Sequence, residues 1–329
     1  MSTPSIVSTT TGRRITLERI EAAARVIDPV FLNTPQWVCE PLGEELGARV
    51  ALKAETLNPI RSFKGRGADW LVHNLPAGVA LMCASAGNFG QAMAYACRAR
   101  DVPLTVYAAE QANPLKIARM RAMGARVVLA GEDFDAAKAL ARETAVREGA
   151  RFVEDSRDPE PTEGAGTIAL EWLAFPNRLD ALLVPLGNGA LLAGIATVIR
   201  ALQPETKVVA VGASGAPAMV ESLQSGRMVC HDRIDTIADG IGVRVPVPEA
   251  LDDLRGLVDD LILVSDDGIL RAMRLLHRHA GVVAEPSGAA GLAAVVQEPA
   301  RFTGQTVGTM ICGGNLTPAQ MREWLAERA

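Results

Sequence analysis

Short runs rich in β-branched residues recur along the chain: "RVALKAE", "VALMCAS", "LTVYAAE", "ARVVLAG", "ALLVPL", "KVVAVGA", "LILVSDD" and "TVGTMICGG", separated by alanine-rich helical segments. Strands that alternate with helices are joined by right-handed crossovers and build parallel sheet, so the chain is α/β. Its 329 residues, 49% of them apolar, suffice for one large core or two smaller ones. Two features place a smaller lobe inside a larger one. Residues 80–158 hold four compact strand–helix units, and "EDSRDPEPTEGAG" (154–166) has the composition of a linker. The expected organisation is a small α/β domain over 80–158 inserted in a large domain formed by 1–79 and 159–329. Solenoid repeats, heptads and low-complexity tracts are absent from the sequence.

Charge and cysteine usage remove several function classes. A net charge of -5, with Lys and Arg scattered, leaves no basic footprint for nucleic acid or an anionic membrane. The N-terminal "MSTPSIVSTTTGRR" is polar, lacks the apolar core of a secretory signal and reads as a loose arm, which makes the cytoplasm the expected compartment. Cys39, Cys83, Cys97, Cys230 and Cys312 are odd in number and lack CxxC spacing, against both a disulfide framework and a zinc site. Residues 181–199 carry no charge and are about long enough to span a bilayer. Pro185 and the Gly187-Asn188-Gly189 turn break that run into a buried strand, a tight loop and an apolar helix start.

Open parallel sheets bind ligands beyond the carboxyl ends of their strands, where loops lead into helix N-termini. Three loops of that kind stand out. "ASAGNFGQ" (84–91) is either a turn capped by Asn88 or a seat for a carboxylate or phosphate, with small residues that let backbone N–H groups approach. In "PLGNGALLAG" (185–194), residues Gly187, Asn188, Gly189, Ala190 and Leu191 pass from strand to helix, a cradle for phosphate. A dinucleotide fingerprint would need a third glycine where Leu192 stands and an acid after the next strand, and neither is present. "MICGGN" (310–315) puts Cys312 at a strand end, as an inert small side chain or against something flat. To these is added Lys64 in "NPIRSFKGRGA" (58–68), a surface cation or a nucleophile.

The order SFKGRGA, SAGN, glycine-rich loop and CGGN resembles the pyridoxal-phosphate enzymes of fold type II, specifically the serine/threonine ammonia-lyases (threonine dehydratases), through about residues 20–329. The resemblance implies a tryptophan synthase β-like architecture of two open, twisted, parallel-rich sheets flanked by helices. It implies pyridoxal 5'-phosphate as cofactor, a small amino-acid substrate, and a homodimer or homotetramer. Lys64 looks like the Schiff-base lysine and the base for the α-proton. Phe63 looks like the residue that packs on the pyridine ring, and Asn88 like the partner of its 3-hydroxyl. Residues 187–191 are similar to the phosphate loop, and Ser85, Ala86, Gly87 and Asn88 to the seat of the substrate carboxylate. Cys312 stands where these lyases carry Ser or Cys beside the pyridine nitrogen. A neutral thiol there does not enforce ring protonation, which favours β-elimination over transamination. The implied reaction converts L-threonine, L-serine or another β-hydroxy amino acid to a 2-oxo acid and ammonia, with an acid such as the cofactor phosphate assisting loss of the hydroxyl.

Departures from the family pattern carry their own expectations. Ala86 replaces the serine of racemase relatives, so racemisation is not expected, and Ala213 replaces a metal-binding glutamate, so no metal is expected. Phe89 replaces a frequent histidine. Arg61 stands where a glycine is usual, either as a solvated loop cation or as the reader of a β-substituent such as the second carboxylate of 3-hydroxyaspartate. Glu285 in "AEPSGAAG" and Asp239 in "IADGIG" are supports of the site or caps, with support favoured for Glu285. The four histidines have no role in the implied reaction, and the chain length leaves no room for a regulatory domain after the last motif. A β-replacement synthase, a threonine synthase and a non-catalytic phosphate or nucleotide binder stay open as alternatives.

Overall fold

Ten strands form two sheets in the computed structural model, which describes residues 12–326; the loose arm expected at the N-terminus falls almost wholly outside them. In chain order the strands are β1 (Gln36–Val38), β2 (Arg49–Ala54), β3 (Leu81–Ala84), β4 (Leu104–Ala108), β5 (Arg126–Leu129), β6 (Arg151–Val153), β7 (Ala181–Pro185), β8 (Lys207–Ala213), β9 (Asp260–Val264) and β10 (Thr306–Ile311). One sheet runs β1-β2-β10-β7-β8-β9 and the other β5-β4-β3-β6. Every pairing is parallel except β1 with β2. All eight runs read from the sequence are strands. The two it missed, β1 and β6, have three residues each, too few to show a period.

Helices cover both faces of the larger sheet, so its central strands are buried end to end instead of alternating. Leu183, Val209, Val211 and Ile262 pack with helices Asp266–Ala280 and Pro286–Gln297 on one face. Leu182, Val184, Val208 and Ala210 pack with helices Pro159–Trp172 and Ala190–Leu202 on the other. Each fully buried Leu or Ile in these layers stabilises the fold by about 1.5–3 kcal/mol.

The stretch read as a linker is not one. From Pro159 onward it is a helix, and its residues from Glu160 through Ala169 are buried. The small residues that suggested a linker serve a close helix crossing. A β-carbon on Gly164 would stand 2.4 Å from the Gly67 Cα, and one on Gly67 would stand 2.5 Å from the Pro161 Cα. The helix Lys64–His73 therefore meets the helix Pro159–Trp172 backbone to backbone.

A buried ionic cluster locks the same two helices to β2. Arg66 is fully buried and forks onto Glu55, with Nε to Oε2 at 2.8 Å and Nη2 to Oε1 at 2.9 Å. Its Nη1 donates to Glu171 Oε1 at 2.6 Å, and Glu171 Oε2 meets Lys53 Nζ at 2.6 Å. Burial pulls Lys53 below the usual lysine range against the attraction of Glu171 and Glu55. Burial also pushes Glu171 up, but Arg66 and Lys53 outweigh it and hold that carboxyl below the usual range. This cluster sits one helical step from Lys64 and fixes how the first turn of that helix is presented.

Candidate active site

Loops at the carboxyl ends of β2, β10, β3 and β7 are tied to one another by specific bonds. Ser62 and Gly313 form an isolated antiparallel bridge, and Phe63 N donates to Cys312 O at 3.1 Å. Asn315 Nδ2 donates to Asn88 Oδ1 at 2.9 Å and to Ile60 O at 2.8 Å. Lys64 Nζ donates to Asp155 Oδ2, and Asn188 Nδ2 donates to the same oxygen at 2.7 Å.

Lys64 opens its helix and is nearly buried, with its Nζ 4.7 Å from the centroid of the Phe63 ring. Asn88 is fixed on both sides of its amide: Nδ2 donates to Glu285 Oε1 at 2.6 Å, while Oδ1 takes the bond from Asn315. Glu285 Oε2 in turn accepts from Asn315 N at 3.0 Å, so this carboxylate supports Asn88 and does not cap its own helix. Burial pushes the Glu285 carboxyl up, reinforced by Asp239 and opposed by Lys116 and the Asn315 and Asn88 donors. Asp239 lies farther out and pairs with Lys116 at 2.9 Å.

Gly189, at φ +105°, turns the chain into the helix Ala190–Leu202, whose start has no side-chain cap. Its first-turn N–H groups lack intrahelical partners and face whatever occupies the loop, with Ala190 N donating to Ser156 Oγ at 3.2 Å. Leu191 turns its side chain into the core, so only its backbone serves the loop. Ser85 Oγ already accepts from Gly87 N at 3.2 Å and from Gly90 N at 3.0 Å, which leaves Asn88 and Phe89 as the free-ended first turn of their helix. Ala86 is half-buried and brings no proton-carrying atom.

Cys312 Sγ lies 3.6 Å from Ser287 O in a buried position, and burial, with Glu285 next, pushes its thiol far up, so it is neutral. Beside it Gly313 is packed too closely for any side chain: a β-carbon there would stand 2.1 Å from Glu285 Oε1 and 3.0 Å from Asn88 Nδ2. Gly313→Ala is expected to cost about 1–3 kcal/mol of stability and to weaken cofactor binding by about tenfold or more through displaced Asn88. Absorbance titration of the variant with cofactor, beside its thermal melt, checks both.

Arg61 is exposed and held at φ +51°, a left-handed conformation that favours the glycine expected there. Its carbonyl accepts from Gly314 N at 3.0 Å. Arg119 Nη1 donates to Asn315 Oδ1 at 2.7 Å, and burial, followed by the charge of Arg61, holds Arg119 below the usual arginine range. Neither guanidinium has a carboxylate partner among the described residues.

These features suit a planar aldehyde with a phosphate arm. The lysine amine beside an aromatic face can take the aldehyde and the helix start at Ala190 the phosphate, with Cys312 and Asn88 held on loops bonded to the same segment. Buried oxygens without partners, Ser287 Oγ and Asp155 Oδ1, border the same region. The class so defined is an enzyme that works through pyridoxal phosphate. The chain belongs to the family described as "Pyridoxal-phosphate dependent enzyme", whose profile matches residues 27–313. It is 35% identical over 305 residues to an L-threonine ammonia-lyase of Thermotoga maritima, covering 92% of this chain and 76% of that protein. The crystal structure of a threonine deaminase from T.th. superposes with a TM-score of 0.86 at 36% identity, over 92% of this chain and 99% of that one. Maize serine racemase superposes with a TM-score of 0.88 at 25% identity, over 94% and 96%. The expected cofactor and the fold type II architecture are borne out.

Sequence reasoning passed over Asp155, Asn315 and Arg119. Asn315 stood in the quoted CGGN and could have been chosen as the one hydrogen-bonding side chain there. Asp155 was hidden in an acid-rich and proline-rich run that reads as a linker, and Arg119 has no local signal at all. Among the described residues, no helix is long and apolar enough to cross a membrane.

Proposed function

We propose that the chain catalyses β-elimination of a β-hydroxy amino acid such as L-threonine or L-serine, releasing a 2-oxo acid and ammonia. The observation that carries this reading is the coupling of Lys64 and Cys312 through one strand-end bridge, which puts a reactive amine and a neutral thiol at the same site. Pyridoxal phosphate, when bound, supplies an aldehyde and an electron-withdrawing ring. Lys64 anchors it and, as a free amine, takes the α-proton of the substrate. Phe63 and Asn88 orient the ring, and the backbone of 187–191 receives the phosphate. The Ser85–Asn88 loop holds the substrate carboxylate through the start of its helix. Cys312 offers no counter-charge to a protonated ring nitrogen, which favours elimination over transamination. Ala86 supplies no proton to the opposite face, which favours a lyase over a racemase.

Residues 80–158 form, on this reading, the small domain that bears the carboxylate loop, inserted in the large domain of 1–79 and 159–329. A cytoplasmic homodimer or homotetramer is the proposed state, to be checked by light scattering. The functional test is a screen of β-hydroxy amino acids for 2-oxo acid release by the holoenzyme. Release from threonine or serine is expected. Product that forms only with an added thiol would point to a β-replacement synthase, and no product at all, with no colour on adding cofactor, to a phosphate binder.

A second reading concerns the substrate side chain. Arg119, held below the usual arginine range by burial and then by the charge of Arg61, and Arg61 itself lack a carboxylate partner among the described residues, which favours a substrate with a second anionic group, such as 3-hydroxyaspartate. Arg61→Ala is then expected to lower kcat/KM for threo-3-hydroxyaspartate by about 10- to 100-fold relative to serine. An unchanged ratio of the two substrates would remove this reading and leave the lyase itself standing.

A further inference from the structure

Asp155 has no part in the roles given so far, yet its carboxylate touches the reacting nitrogen. Its Oδ2 accepts from both Lys64 Nζ and Asn188 Nδ2. The pair is nearly buried, with the Lys64 and Asp155 side chains 15% and 13% exposed. Asp155 Oδ1 is buried and has no hydrogen-bond partner among the described residues. No other carboxylate among them pairs with Lys64. The following residue, Ser156, is fully buried at φ +69°, a left-handed conformation rare for a residue with a β-carbon, and its hydroxyl accepts from Ala190 N at 3.2 Å. The backbone thus holds Asp155 in place where β6 gives way to the helix Pro159–Trp172. Asp155 and Asn188 also line a cavity of about 350 Å³, together with Ala84 at the end of β3 and Val243.

A covalent link on Lys64 Nζ leaves that nitrogen at most one N–H to offer Asp155, whereas a free ammonium has three. The Asp155 contact is therefore fullest when Lys64 is an ammonium.

We propose that Asp155 is the counter-charge for the ammonium that Lys64 becomes during turnover, an inference that rests on Lys64 being the cofactor lysine and the α-proton base. In the first transfer the Cα–H bond breaks, its electron pair stays on the carbon side, and the proton forms a new N–H bond on Lys64 Nζ. The ammonium so formed is paired with the Asp155 carboxylate, whose Oδ2 lies within hydrogen-bond reach of Nζ. When the Cβ–O bond breaks, the pair held on the carbon side forms the Cα=Cβ bond, the Cβ–O pair leaves with the oxygen, one ammonium proton passes to that oxygen so that it departs as water, and Nζ is again neutral. Asp155 makes and breaks no covalent bond. Its charge favours the first transfer, and its fixed position holds the ammonium beside Asn188.

The test compares holoenzyme with Asp155→Asn and Asp155→Glu in cofactor affinity, kcat, KM and the primary isotope effect on kcat with α-deuterated serine or threonine. Asp155→Asn is expected to bind cofactor as tightly as the native protein or more tightly, while kcat falls by about 10- to 100-fold and KM changes by less than about threefold. The isotope effect on kcat is expected to rise, because proton transfer becomes the slow step. Asp155→Glu, which keeps the charge but displaces it, is expected to retain more kcat than the asparagine variant. Loss of cofactor affinity in step with kcat would make Asp155 a structural support and overturn the proposal, as would an unchanged kcat and isotope effect. Failure of the underlying reading is seen separately, in the native protein, as an absence of any borohydride-fixed cofactor on Lys64.

Discussion

Lys64→Ala is expected to lower kcat/KM for 2-oxo acid release by at least about 10³-fold, because one side chain both anchors the cofactor and takes the α-proton. The fold is expected to survive. Lys64 is the first residue of its helix, its one hydrogen-bonded side-chain partner is Asp155, and its helix is held from elsewhere by Arg66 and the Gly67–Gly164 crossing. The variant should still bind cofactor at the phosphate loop, more weakly and without a covalent link. Absorbance spectra, circular dichroism and steady-state rates on one preparation separate these effects. Native-like activity in the variant would contradict the assignment.

Arg66→Met is expected to have the opposite profile, with a large loss of stability. Arg66 neutralises two carboxylates, Glu55 and Glu171, in a fully buried position. Methionine removes the guanidinium that both carboxylates bond and leaves Lys53 as the cation nearest the two, at a cost of about 3–5 kcal/mol. For a chain of this size that lowers Tm by roughly 4–7 °C. The pH dependence gives an independent sign. Glu171 is held below the usual carboxylate range, so its contribution is present above the unfolded value of about 4.3 and is lost as pH falls through the depressed folded value. The stability gap between native protein and Arg66→Met should therefore narrow as pH drops below about 4.3. Thermal melts across an acid series check it, and a gap that widens would contradict the charge assignments.

The fold was legible because buried parallel strands leave unmistakable apolar runs, and the site loops because glycine and alanine gather where a strand must hand a close backbone approach to a helix. Lys64, Asn88, Gly187–Leu191 and Cys312 all lie at such junctions. What escaped was of two kinds. Side chains that reach the region from distant segments, such as Arg119 on Asn315 and Asp155 on Lys64, have no local pattern to betray them. Lys53, Glu55, Arg66 and Glu171 carry no local sign of burial, since isolated charged residues are rarely buried and only their mutual pairing makes it tolerable. The supposed linker failed for a related reason: Pro159, Gly164 and Gly166 serve equally well to start a helix and to let it approach another.

Arg61 links both kinds of reading. The sequence marked it as out of place where glycine is expected, and the backbone gives the physical content of that mark, a φ of +51°. That conformational cost, and the second arginine nearby without a carboxylate partner among the described residues, support the proposed reading of Arg61 as a substrate contact.

The central claim is that Lys64 carries the cofactor, and the chain has only five lysines, Lys53, Lys64, Lys116, Lys138 and Lys207, on which to test it. Holoenzyme reduced with borohydride, digested and read by mass spectrometry is predicted to show the cofactor on the peptide containing Lys64 and on no other. A label on any of the other four, or on none, would contradict the account.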